Sequence, residues 1–146
     1  DDCISWGLVS RLDAIQACIL NIRLKYIEAI IEKRRINADI YKKILNKEKV
    51  YFPEDRENCR DTYHTFVIQV DKRDELKRKL QDQGIHTAIH YPIPIHLQTV
   101  CNGLGYKLGD YPKAEHQANR ILSLPIHQNL KSDDIEYIAE KINEFY

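Results

Sequence analysis

The sequence predicts an α/β chain in which a long helical segment leads into a small sandwich containing a β-α-β unit. Three stretches carry that expectation. From Leu12 to Ile30, apolar residues recur at the spacing of one helix face. The run TYHTFVIQV, residues 62–70, is dense in β-branched and aromatic residues, as strands are. Beyond an intervening helical pattern, IHTAIH alternates. His86, Ala88 and His90 share one face, and Ile85, Thr87 and Ile89 the other.

Each element has a local cause. Ser10 to Asp13 fit a capping box, with Ser10 as N-cap and Asp13 reaching back. Leu12, Ile15, Ile19, Ile22, Tyr26 and Ile30 form the stripe, and a weaker periodicity runs on to Leu45. This predicts one long helix or two in series, ending where Lys42, Lys43 and Lys47 suit the helix dipole. The stripe is too long for a small domain to cover. The charged segment 46–61, with Pro53, reads mostly as connection. Asp71 is the expected N-cap of the next helix, Leu76 and Leu80 its inner face, and Gly84 its stop. Residues 101–112 form a Gly-rich loop. Pro112 opens a helix running to around Ile121, and LSLP, residues 122–125, reads as a short strand. Ser132 caps a last helix striped by Ile135, Ile138, Ile142 and Phe145.

Composition narrows the function. Lys plus Arg number 22, as do Asp plus Glu, and no basic stripe stands out. That argues against nucleic acid as the main partner. No apolar run is long enough to cross a bilayer. Cys3, Cys18, Cys59 and Cys101 form no CxxC pair and read as reduced thiols of a cytoplasmic protein. The chain contains no methionine, so it is expected to be a processed product or a piece of a longer protein.

GIHTAIHYPIPIH, residues 84–96, is the stretch with most chemistry in it. It holds three of the six histidines, a tyrosine and two prolines. Metal ligation by His86, His90 and His96 is the weakest reading, because no carboxylate or cysteine joins them. Packed prolines with hydrogen-bonded or surface histidines are a second. The third is a ligand pocket, with His90 and Tyr91 on opposite sides of a proline-stiffened chain, suited to sugar or phosphate. Arg11 opposes the dipole of the helix it opens, which suits a bound anion. GLGYKLG lacks the spacing of a phosphate-binding loop. Lys107 within it is the one lysine outside a charged run, and nothing nearby promises the lowered pKa that Schiff-base chemistry needs.

Taken together, SRLDAIQACIL, YHTFVIQV, GIHTAIHYPIPIHLQ and GYKLGDYPKAEHQANRILSLPIH resemble the C-terminal half of the DegT/StrS family of sugar aminotransferases, in the family's order. The SRLDxxQA and HYPxPxH boxes are the specific pair. The resemblance implies the type I aminotransferase fold. Residues 1–50 would be an interdomain helical segment and residues 51–146 the small C-terminal domain, with the large N-terminal cofactor domain absent. It further implies a homodimer. The complete enzyme would use pyridoxal phosphate, take an amino group from glutamate and pass it to a nucleotide-linked keto-sugar, with deoxythymidine-diphosphate 3-keto-6-deoxy sugars as the best match.

By the same resemblance, Arg11, His90 and Tyr91 hold the nucleotide-sugar substrate, and His96 belongs to the same box. No catalytic residue and no metal site is expected in this chain. The Schiff-base lysine, the partner of the pyridine nitrogen and the ring-stacking residue belong to the absent part. The chain alone is therefore expected to bind no cofactor and to be inactive. Val9 stands where the family commonly has an asparagine that reaches the cofactor phosphate. The alternative is a non-catalytic relic or interaction module of the same fold.

Overall fold

The computed structural model describes residues 2–8 and 11–146. The helical segment is two helices in series, α1 (Ala14–Leu24) and α2 (Ile27–Ile44). Between them, the N–H groups of Lys25 and Tyr26 donate to Ile22 O (3.3 Å) and Arg23 O (3.0 Å), a tightened last turn. The N-cap of α1 is Asp13, whose N–H donates to Gln16 Oε1 at 3.3 Å. This corrects the cap expected at Ser10, which with Val9 lies outside the described residues. The stripe does outrun the domain. No residue of α1 is buried, and Ile15, Ile19, Leu20, Ile22 and Leu24 are all exposed. By contrast, α2 ends in the core, where Ala38 and Tyr41 are fully buried.

The sheet has three antiparallel strands in the order β1 (Val50–Tyr51), β2 (Phe66–Val70), β3 (Ile121–Leu124). Val50 lies opposite Val70, and Phe66 opposite Leu124. Alternation along β2 turns Phe66, Ile68 and Val70 to one face. There they meet α2, α3 (Arg73–Asp82) and α5 (Ser132–Asn143) through Tyr41, Leu76, Leu80, Ile135, Ile138 and Ile142. The Tyr41 and Phe66 rings stack with centroids 5.1 Å apart. Each fully buried Leu or Ile contributes about 1.5–3 kcal/mol. This helices-on-sheet contact is therefore the main source of stability.

The β-α-β expectation needs correction in one arm. β2 and α3 form, but residues 85–90 are not a strand. They make one bridge, Ala88 to Ser123, with N–H···O distances of 3.1 and 2.7 Å. β3 lies between this arm and β2. Ile85 is buried and donates to Leu80 O at 2.9 Å, while Pro92 and Pro94 supply no N–H beyond the bridge. The ladder is thus limited at both ends.

Smaller corrections follow from local chemistry. The segment 46–61 contains β1 as well as connection. Lys72, at φ 53°, caps α3 in place of Asp71, whose carboxylate pairs with Arg120. Lys131 caps α5 in place of Ser132, and its N–H donates to Asp134 Oδ2 at 3.0 Å. The helix opened by Pro112, α4 (Pro112–Ala118), stops before Ile121, which starts β3. Gly84 ends α3 as expected, at φ 78°, a conformation that favours glycine.

Candidate functional site

Beyond the Ala88 bridge the chain runs through Tyr91 and the two prolines into short 3-10 turns at Ile95–Leu97 and Thr99–Cys101. Proline fixes the backbone here without needing a sheet partner. Two histidines peg the ends of this segment. At the start, His90 Nδ1 lies 2.9 Å from Ser123 Oγ on β3. At the other end, His96 Nε2 lies 2.9 Å from Glu115 Oε1 on α4. Tyr91, between them, is 61 % exposed.

Together these residues wall an open hollow of about 720 Å³. His90, Tyr91 and His96 line it with Trp6, Tyr106 and Tyr111. The aromatic rings touch in series. His96 and Tyr111 have centroids 4.8 Å apart, and Tyr106 and Tyr111 5.9 Å. His90 and Tyr91 meet edge to face at 5.5 Å. Such a surface offers flat apolar faces with polar edges, suited to a heterocycle or a sugar.

Glu115 holds the loop that carries the two tyrosines. Its carboxylate accepts from Gly109 N–H (2.9 and 3.0 Å) and Tyr111 N–H (3.3 Å), besides facing His96. Partial burial pushes its pKa up. The hydrogen bonds from Gly109, His96 and Tyr111 outweigh that and hold the carboxyl below its ordinary value.

The hollow thus gathers three of the four residues singled out from sequence. His90 and Tyr91 both line this hollow. Arg11 is exposed just before α1 and is not part of the lining. Lys107 is exposed as well, its N–H donating to Asp110 Oδ2 at 3.0 Å. Among the described residues no group of three His, Cys, Asp or Glu is arranged to hold a metal. Trp6, Tyr106, Tyr111 and Glu115 were not legible as site residues. They come from three separate segments, and only the aromatic spacing in GYKLGDYP hinted at two of them.

The model of the DegT/DnrJ/EryC1/StrS aminotransferase family matches residues 3–143. The chain belongs to this family. Similar proteins include the "Pleiotropic regulatory protein" of Geobacillus stearothermophilus, 41% identical over 143 residues, 96% of this chain and 38% of that protein. The dTDP-3-amino-3,6-dideoxy-alpha-D-galactopyranose transaminase of Aneurinibacillus thermoaerophilus is 31% identical over 95% of this chain and 38% of its own length. Among solved structures, DesV of S. venezuelae in complex with a ketimine intermediate superposes with a TM-score of 0.87 at 31% identity. That match covers 95% of this chain and 38% of DesV. This chain of the DegT family therefore spans well under half the length of these relatives, and its fold corresponds to the C-terminal part of the type I aminotransferase fold.

The family implies pyridoxal phosphate, and the hollow can be tested for it. The cofactor's phosphate needs a cation or a cluster of donors, and its aldehyde needs an amine. The described lining holds aromatic rings, two imidazoles and Gln117, with neither lysine nor arginine. It fits a base or sugar ring and does not fit the phosphate and aldehyde. No helix among the described residues is long and apolar enough to cross a membrane.

Proposed function

We propose that this chain is the C-terminal part of a pyridoxal-phosphate-dependent aminotransferase acting on a nucleotide-linked keto-sugar. The observation that carries this reading is the convergence of His90, Tyr91 and His96 on one aromatic hollow, in a chain that belongs to a sugar-aminotransferase family. In this reading, Tyr91 presents a ring face and a phenol to the substrate. His90, held by Ser123, and His96, held by Glu115, keep that face in position. Arg11 adds a guanidinium for the diphosphate once the rest of the enzyme brings it near. Residues 1–50 act as the interdomain segment and 51–146 as the small domain. The remainder of a cytoplasmic, homodimeric enzyme supplies the cofactor site, the lysine and the site for the amino donor, glutamate. Pyridoxal phosphate, when bound there, supplies the electron sink for amine transfer.

Saturation-transfer NMR of the chain with thymidine diphosphate tests the substrate role. Transfer from tyrosine rings that disappears in Tyr91→Ala is the expected result. Equal transfer in wild type and Tyr91→Ala, or none in either, would count against it.

A second reading, a non-catalytic interaction module, draws on the regulatory name of the Geobacillus relative. Co-expression with the N-terminal portion of a sugar aminotransferase separates the two. Restored amine transfer favours the enzyme, and a stable inactive complex favours the module.

A further inference from the structure

A second hollow, of about 340 Å³, lies beside the first. Its lining gathers His64, His86, His90 and His127, four of the six histidines of the chain, with Arg34, Thr87 and Ser123. These residues come from four stretches of the sequence, and the fold brings them together along the Ala88–Ser123 bridge. No aspartate or glutamate is among the described lining residues. The imidazoles do not converge in the manner of metal ligands, since no group of three suited to a metal exists among the described residues.

The hydrogen bonding of this hollow is incomplete on the protein side. Arg34 Nη1 donates to Tyr63 O at 3.3 Å and His64 O at 3.2 Å, which fixes the guanidinium plane. Its buried Nε has no partner among the described residues, and neither has the buried Thr87 Oγ1. Beyond the two bonds made by Nη1, the guanidinium keeps N–H donors that have no protein partner among the described residues. A fixed arginine fork, imidazoles that can each donate, and no competing carboxylate describe the recognition of an oxyanion.

We infer that this hollow is an oxyanion-binding site, with Arg34 as its fixed cation and His64, His86 and His127 as its donors. The ligand class is a carboxylate or a phosphate group on a small molecule. His90 forms the wall shared with the aromatic hollow. A molecule with a ring in one hollow and an acid group in the other would span both. The inference stands on these contacts and does not depend on the aminotransferase reading.

The test is a titration of the 146-residue chain, 15N-labelled at histidine, observed through the ring nitrogens at pH 6 with chloride held constant. Inorganic phosphate is one probe and glutarate the other. The expected result is saturable shifts at His64, His86 and His127, with His116 on α4 unmoved. Arg34→Gln weakens binding about tenfold. Because Arg34 also holds two backbone carbonyls, His86→Gln and His127→Gln are measured beside it. Both positions are exposed, so each variant keeps the fold and weakens binding roughly two- to threefold. Tighter phosphate assigns a phosphate group, tighter glutarate assigns a carboxylate, and equal affinities support the oxyanion class alone. The inference is overturned if neither probe saturates, if His116 shifts equally, or if both histidine variants bind as wild type.

Discussion

The His96 imidazole and the Glu115 carboxylate face one another at 2.9 Å, with side chains only 8% and 13% exposed. This contact joins the proline-stiffened segment to α4. The same carboxylate also takes the N–H groups of Gly109 and Tyr111. One acidic side chain therefore holds His96 and Tyr111 directly, two of the walls of the aromatic hollow, and Tyr106 packs on Tyr111.

Glu115→Gln keeps the size of the side chain and removes the charge. Hydrogen exchange at the Gly109 and Tyr111 amides should quicken roughly tenfold, with the global melting temperature little changed. Exchange that rises equally throughout the chain would mean that Glu115 serves the core and not the loop.

Acid should release the same loop. The pKa of Glu115 is held below its ordinary value of 4.5, so the folded state binds this proton more weakly than the unfolded state. The stabilisation is present above the ordinary value and is lost as pH falls through the lowered one. The Gly109 amide shift should therefore titrate with a midpoint below 4.5. A midpoint at or above that value would remove Glu115 as the anchor.

Tyr41 is fully buried and donates to Pro125 O at 3.0 Å. Tyr41→Phe should cost about 1 kcal/mol by urea unfolding, and Tyr41→Ala about 3–5 kcal/mol. Burial, then the nearby Asp134 charge, hold the phenol well above its ordinary value of 10.0. A raised folded pKa gives stability that is full below the ordinary value and falls as pH rises beyond it. Wild-type stability should therefore decline above pH 10, and Tyr41→Phe should flatten that decline. Identical alkaline curves for the two proteins would contradict this.

The parts of the fold legible in sequence were those whose cause is local. The stripe Ile135, Ile138, Ile142 sits on one helix and reads directly as a buried face. β1 carries no legible pattern because it is only two residues long, between Lys49 and Phe52-Pro53, and Val50 is a strand only by pairing with Val70. IHTAIH alternates like a strand, yet Ile85 is drawn into the core and only Ala88 pairs. The site divides in the same way. His90, Tyr91 and His96 lie in one segment and were visible, whereas Trp6, Tyr111 and the second hollow depend on contacts between distant segments.

Arg11 is exposed and outside the hollow, so its proposed role depends on the complete enzyme. There, Arg11→Ala should raise KM for the nucleotide-sugar about tenfold or more and leave kcat nearly unchanged. A fall in kcat at constant KM would place Arg11 in the chemical step instead.

The chain by itself should form no stoichiometric adduct with pyridoxal phosphate. An imine requires an amine that is often neutral, beside a site for the phosphate and ring. No lysine of the chain is buried. Lys42 is among the least exposed, at 17% of its side chain, and it is the wrong kind of lysine for this chemistry. Its burial would lower the pKa. The hydrogen bonds with Asp55 and Tyr63, and then their charges, outweigh that and raise it, so the ammonium persists. Lys107 is exposed in its loop, and the aromatic hollow has no cation in its described lining. The measurement is absorbance after adding the cofactor and removing the excess by gel filtration, followed by borohydride trapping and peptide mapping. Traces spread over several surface lysines are expected. One lysine labelled in full, and left unlabelled when glutamate is added before the borohydride, would show that this chain carries a cofactor site of its own.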